Sequence, residues 1–379
     1  MKRIAIFCDG TWNRSDARFP TNVVQLSQAT LLRDPVDGTV QQVFYVPGVG
    51  TGRGATRLAR WHDRVLGGAM GLGLNLNLEE AYRSLVFAYE PGDEIYLFGF
   101  SRGAFTARSL AGFIRSAGIP DRSQVSRIPE ALARYRSLAY DTHPDHEDSL
   151  AFRQSYAPRL FTSPVEADWR FLNGHPPGQP LKIAYLGVWD TVGALGVPGM
   201  FQILSWIFNG PHQFHDQSLS RSVEAARHAV AIDERRSTFE PTLWNNLDAL
   251  NAAGEGDARV FRQEWFPGTH GSVGGGGDIR GLSDAAALWV ARGAAGRGLA
   301  FDPGVLGAFE RETDPRAPLH NQTAPAGAVE RLLGRFSRDR EGPVDVEDVA
   351  AITRKRWAID RSYRPRTLRE VADALPETS

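Results

Sequence analysis

The sequence predicts an α/β fold, a mostly parallel sheet flanked by helices with one helical insertion, and three observations carry that prediction. Short apolar runs recur along the chain, stretches with helical spacing separate them, and each run stops at small or polar residues. Strands buried on both faces read this way when helices cover a parallel sheet, because no face is left to alternate with solvent.

Taken in order, residues 3–8 form the first apolar run and end in Asp9-Gly10-Thr11-Trp12. Helical spacing follows over 23–32, a second strand over 42–46, a second helix over 74–89 and a third strand over 94–98. Residues 121–180 differ: Arg- and Tyr-containing helical pieces, a His-Pro-Asp-His turn and a breaker-rich end at 173–180 mark an insertion or cap. Strand patterns resume at 182–189, weakly at 228–232, and at 260–266, which makes about six strands. Residues 292–379 form a loop-rich and helical extension, with closing helices expected over 344–357 and 367–375. Residues 1–379 are expected to form a single enlarged domain.

Composition narrows the function. With 42% hydrophobic residues the chain can bury a sizeable core, and 43 basic against 44 acidic residues leave a net charge of -1. That balance argues against a nucleic-acid partner, whose binding draws on excess positive charge. All but three of the basic residues are arginine, a compositional bias rather than a phosphate-binding surface. The single cysteine, Cys8, can form neither an intramolecular disulfide nor a Cys-based zinc site. No apolar run is long enough to span a bilayer or to serve as a signal-peptide core, so a cytoplasmic location is expected, with signal-independent export still compatible.

Chemistry concentrates at 94–117. A strand runs into Gly99-Phe100-Ser101-Arg102-Gly103 and then into helical spacing, the strand, G-x-S-x-G, helix order of a nucleophile elbow. A serine on that strained turn projects its hydroxyl clear of the sheet, and the glycines remove side chains where strand and helix approach. The fold is therefore expected to be α/β-hydrolase-like, with Ser101 as nucleophile.

Serine needs a base, and usually an acid to orient it, in chain order Ser, Asp or Glu, His for this fold. Of nine histidines, His270 follows the strand 260–266 in a glycine-dense loop. Asp190 ends the strand 182–189, at the same edge of a parallel sheet. Asp233 is the alternative acid and His320 the alternative base. Asp190 and Asp233 also fit turn or helix caps, and His270 a hydrogen-bonded loop residue. His143 with His146, and His212 with His215, lack companion ligands and are expected on the surface.

Several blocks in order resemble the catalytic domain of the type VI secretion phospholipase effectors, the first of the type VI lipase effector families. They are Phe7-Cys-Asp-Gly-Thr-Trp-Asn13, Thr21-Asn-Val-Val24, Tyr45-Val-Pro-Gly-Val-Gly-Thr51, Gly99-Phe-Ser-Arg-Gly-Ala104, Val188-Trp-Asp-Thr-Val-Gly193 and Trp265-Phe-Pro-Gly-Thr-His270 with Val273-Gly-Gly-Gly276. They span roughly residues 3–290. The resemblance implies Ser101 as nucleophile, Asp190 as acid and His270 as base. One position departs from it: the family typically has Asp two residues after the histidine, where this chain has Ser272.

The turn after the first strand places the backbone N–H groups of Gly10 and Thr11 where they can share an oxyanion with the N–H of Arg102; the alternative is a tight turn that only shapes the strand end. Gly50-Thr-Gly52-Arg-Gly-Ala55 mimics a dinucleotide fingerprint, but no acidic strand end follows at the right distance, so it is expected to be a loop passing the site. Residues 200–208 are apolar almost all round and suit either core or a lid that touches an acyl chain or a membrane surface. The sequence therefore predicts a serine hydrolase of carboxylic esters, with a lipid acyl ester as expected substrate and no metal or organic cofactor needed. An amidase using the same residues, and a non-catalytic binding protein on the same fold, are the alternatives.

Overall fold

A computed structural model describes residues 1–11, 13–49, 70–137, 139–193, 218–253, 259–323 and 337–377. The segment 200–208, the 50–55 loop, Trp12, His212 and His215 lie outside the described residues.

Six parallel strands make the central sheet: β1 (Arg3–Cys8), β2 (Gln41–Val46), β3 (Glu94–Phe100), β4 (Ile183–Trp189), β5 (Ala226–Ala231) and β6 (Phe261–Phe266), in spatial order 2-1-3-4-5-6. Strands β1, β3 and β4 are buried almost throughout, which is why their sequences read as continuous apolar runs. Ile4, Ile6 and Cys8 face a core shared with α2 (Met70–Ala88) and α3 (Arg102–Ala117). Ala5 and Phe7 face the opposite core with α1 (Asn22–Ala29) and α9 (Gly281–Ala295), where Phe7 stacks on Phe98 at 4.5 Å. The chain reverses its direction of travel across the sheet between β1 and β3, and the carboxyl ends of these neighbours form the crevice where open α/β sheets bind ligands.

Residues 121–180 contain α4 (Ile128–Arg136), α5 (Glu147–Tyr156), α6 (Pro164–Leu172) and a two-stranded parallel pair, Leu160–Phe161 with Gln179–Pro180. They pack on the α3 side of the sheet. Past α7 (Leu247–Ala252), the short α8 (His270–Gly274) follows β6, and α10 (Pro303–Glu312) packs on α9.

Two expected helices differ from the observed elements. The first ends at Ala29 rather than at residue 32, because Thr30 turns extended and pairs with Phe301. The predicted helix 344–357 is split: a 3-10 turn at Val346–Asp348 leads to Val349, which pairs with Trp265 of β6, and α11 (Ala351–Ile359) begins only afterwards. The apolar residues 346 and 349 that suggested helical spacing are spent on covering the sheet edge. There they join Val230, Ile232, Trp357, Leu368 and Val371 in a third small core.

Candidate active site

The site grows from the end of β3. Ser101 follows Phe100 with φ 58° and ψ -125°, and its N–H donates to the Trp189 carbonyl of β4 at 3.0 Å, so α3 starts with its serine turned away from the sheet. Gly103 permits the sharp entry: a Cβ there would stand 2.2 Å from the Cys8 carbonyl oxygen. At Gly99 a Cβ would stand 2.4 Å from the Gly103 carbonyl oxygen. Both distances are well inside contact, so the two glycines of the motif are required by close approach of strand and helix.

Ser101, Asp190 and His270 are brought together. His270 Nε2 lies 2.8 Å from Ser101 Oγ, and its Nδ1 lies 2.5 Å from Asp190 Oδ2. The imidazole is held between Phe100 and Phe239, at ring-centroid distances of 4.6 and 4.7 Å. Asp190 is fully buried and has φ 37°. Ser101 and Asp190 are the non-glycine residues of positive φ among those described, so backbone strain coincides with these two side chains. Burial opposes ionisation of Asp190, but the Arg340 guanidinium and His270 hold its carboxyl well below the usual carboxylate range.

The alternative residues have other partners. Asp233 accepts from the Gly268 N–H at 2.6 Å and from the Tyr363 hydroxyl at 3.0 Å, anchoring the start of the histidine loop, and burial raises its pKa. His320 lines the cleft, but the hydrogen bond to Ser101 comes from His270. His143 and His146 accept from the backbone N–H groups of Asp145 and Asp148, as turn and helix-cap residues do. Ser272 donates to the Leu319 carbonyl at 2.6 Å and so ties the histidine loop to the C-terminal extension.

At the end of β1, Asp9 organises the turn. It accepts from the Gly10 N–H at 2.7 Å, the Thr21 hydroxyl and the Tyr45 hydroxyl, while burial pushes its carboxyl up to about 6. The Gly10 N–H is thus directed to the Asp9 carboxylate. Thr11 and Arg102 line the cleft beside Ser101.

Sequence reasoning missed three neighbours. Arg340 reaches both oxygens of Asp190, at 2.6 and 3.0 Å. Glu234, paired with Arg236 at 2.6 Å, receives the His270 N–H at 3.3 Å. His228 is buried, accepts the Thr191 N–H at 3.1 Å behind the acid, and is pushed down to about 3 by burial and by the nearby Arg108 cation. His228 lies on a recognised strand candidate, and its buried position was the available signal; Arg340 offers none in an arginine-rich chain.

The site opens into a cleft of about 820 Å³. Its walls combine Phe100 and Phe239 with Arg102, Arg235, Arg236, Asp233 and Glu234. None of the described residues of 121–180 lines it.

The family model described as the T6SS phospholipase effector Tle1-like catalytic domain matches residues 2–293. The chain belongs to this family. An uncharacterized protein of Saccharomyces cerevisiae is 30% identical over 253 residues, covering 65% of this chain and 33% of the yeast protein. Two solved structures are similar. One is an uncharacterized protein from Pseudomonas aeruginosa, with TM-score 0.40, 17% identity, and coverage of 88% of this chain and 52% of that one. The other is the Tle1 effector bound to the VgrG spike of the type 6 secretion system, with TM-score 0.34, 18% identity, and coverage of 72% and 51%. This chain therefore spans about a third of the yeast relative and about half of each solved chain. Among the described residues no helix is long and apolar enough to cross a membrane.

Proposed function

We propose that this protein is a serine ester hydrolase that cleaves lipid acyl esters through an acyl-enzyme. The observation that carries this reading is the unbroken hydrogen-bonded chain from Ser101 through His270 to Asp190 at the carboxyl edge of the sheet.

In this mechanism the substrate carbonyl enters the cleft above Ser101. Ser101 Oγ attacks it as His270 Nε2 takes the hydroxyl proton, and Asp190 holds the Nδ1–H so that the ring presents the correct nitrogen. The tetrahedral oxyanion is held by the backbone N–H groups of Arg102 and Thr11, while the α3 N-terminus favours the developing charge. The Gly10 N–H, directed to Asp9, shapes the turn instead of joining them. His270 then gives its proton to the departing alcohol. Water, activated by the same imidazole, attacks the acyl-serine, releases the acid and restores Ser101. Phe100 and Phe239 supply an apolar wall suited to an acyl chain, while Arg235 and Arg236 of the same cleft are paired with Asp339 and Glu234.

Intact mass after fluorophosphonate treatment tests this reading. The expected result is one adduct on the wild type and none on Ser101→Ala or His270→Ala. A Ser101→Ala protein that still hydrolyses short-chain and phospholipid esters at the wild-type rate would overturn it. Parallel rates on matched ester and amide substrates separate an esterase from an amidase.

A further inference from the structure

On the side of Asp190 away from His270 stands the Arg340 guanidinium. We propose that Arg340, contributed by the C-terminal extension, is a positioning residue: it clamps both carboxylate oxygens of Asp190 and thereby fixes the His270 ring against Ser101. This rests on the serine-hydrolase reading above.

A carboxylate has about four lone-pair sites, and at Asp190 the bonds match them. Oδ1 accepts from Arg340 Nη1 at 2.6 Å and from the Ala231 N–H at 2.9 Å. Oδ2 accepts from Arg340 Nη2 at 3.0 Å and meets His270 Nδ1 at 2.5 Å. Rotation of the carboxylate about its own bond would break this set, so the plane of the acid is locked, and with it the imidazole. The guanidinium is itself fixed, donating to the Ala231 carbonyl at 2.7 Å and to the Phe239 carbonyl. Arg340 therefore also ties down the backbone of Phe239, whose ring packs on His270. With Arg340 6% exposed and Asp190 fully buried, water does not compete for these bonds.

The clamp has an electrostatic cost. A buried carboxylate alone would make His270 a stronger base, but the added cation brings the Arg340–Asp190 pair to neutrality and disfavours the imidazolium formed during attack. Other charges around His270 act on it as well: Glu234, compensated by Arg236, and across the cleft Arg102, Asp233, Arg235 and His320. Behind Asp190 stand His228 and Arg108. Arg340 is the one that touches the acid with two nitrogens. That contact fixes the plane of the carboxylate as well as compensating its charge.

The test uses the full chain and a water-soluble short-chain ester, and compares wild type, Ser101→Ala, Arg340→Met, Arg340→Lys, Asp190→Asn and the Asp190→Asn, Arg340→Met double variant. Arg340→Met is expected to lower kcat by roughly 10- to 100-fold, part of the roughly 10²- to 10⁴-fold that a positioned base supplies, with KM nearly unchanged. The acid limb of kcat/KM should move to higher pH, because a cation beside the buried carboxylate is removed. Arg340→Lys keeps the charge without the fork, so the limb should return near its wild-type position while kcat recovers only in part. In the Asp190→Asn background, Arg340→Met should cost little more, since its route of action is already gone.

Folded Arg340→Met protein with wild-type kcat and acid limb would overturn the proposal. So would an equal loss of kcat in the Asp190→Asn background, which would make Arg340 a fastening of the fold only. Should Arg340→Met fail to fold, Arg340→Lys decides: wild-type kcat there sinks the clamp. Full activity in Ser101→Ala, by contrast, would remove the hydrolase reading itself, whatever the Arg340 variants do.

Discussion

This molecule holds two buried clusters of arginine and carboxylate, one around Glu166 and one around Asp190, and they have different partners. Within 121–180, Glu166 accepts from Arg153 at 2.7 Å, from Arg170 at 2.8 Å and from the Thr162 N–H at 2.9 Å. The guanidinium groups continue outward to backbone carbonyls of Ser116, Pro144 and Pro158. All of this bonding is spent on the fold, and Glu166 sits in the ordinary backbone of α6. At Asp190 a single arginine holds both carboxylate oxygens, yet one oxygen is also given to an imidazole that faces a cleft, and the backbone is strained at φ 37°. If the proposed mechanism holds, burial and charge pairing alone do not mark a working site. What marks it is a polar group whose last bond leads toward solvent, held on a backbone the fold must force.

Four outcomes would break or sharpen this contrast. The largest effect is expected at His270→Ala, which should lower kcat by roughly 10⁴- to 10⁶-fold while the melting temperature stays close to wild type, measured on one preparation by steady-state kinetics and calorimetry. Asp190→Asn should cost about 10⁴-fold in kcat by giving the imidazole the wrong tautomer partner, and it should also lower stability, because Arg340 is left without its anion. Glu166→Ala inverts the pattern: about 3–5 kcal/mol of stability lost in urea titrations, with kcat per folded molecule unchanged. A fall in kcat at Glu166→Ala would show that the two clusters are coupled.

The smallest effect concerns acid stability. Folded His228 refuses the proton that the unfolded chain takes up below about 6.5, and it holds out to about 3. Stability therefore falls as pH drops through that window, because the unfolded state binds more protons there. His228→Gln, which keeps an acceptor for the Thr191 N–H, should flatten the decline in melting temperature between pH 6.5 and pH 4. An unchanged slope would mean that other groups carry the acid sensitivity.

Much of the architecture was legible because a parallel sheet needs little context: runs such as Ile4–Cys8 and Ile95–Phe98 are apolar on both faces wherever they occur. Ser101 was legible because its motif has a steric reason that lies within a few residues of it. Asp190 and His270 could be proposed because each follows the end of a strand at the same edge, Asp190 at once and His270 after three residues. Asp233 shared that property, and only the hydrogen bonds to Gly268 and Tyr363 separate it from Asp190. Arg340 was invisible for the opposite reason: it stands 150 residues from its partner, in a loop without periodicity. The split of the expected helix 344–357 has a similar origin, since pairing of Val349 with Trp265 is a tertiary contact that local spacing cannot encode.

The sheet edge at β6 has a consequence in time. The Trp265 carbonyl is bonded by the Ala350 N–H and by the Thr353 hydroxyl, which lies 88 residues further along the chain. During synthesis at roughly 5–20 residues per second, the strand that leads into His270 waits several seconds for the segment that covers it. For that interval the nascent chain carries an open parallel edge, the feature most inclined to pair with a neighbouring chain. On the proposed mechanism it also lacks a finished catalyst, because Arg340 emerges only shortly before the edge is closed. Closure of the edge and, on the same mechanism, completion of the catalyst thus fall close together in the order in which the chain is delivered.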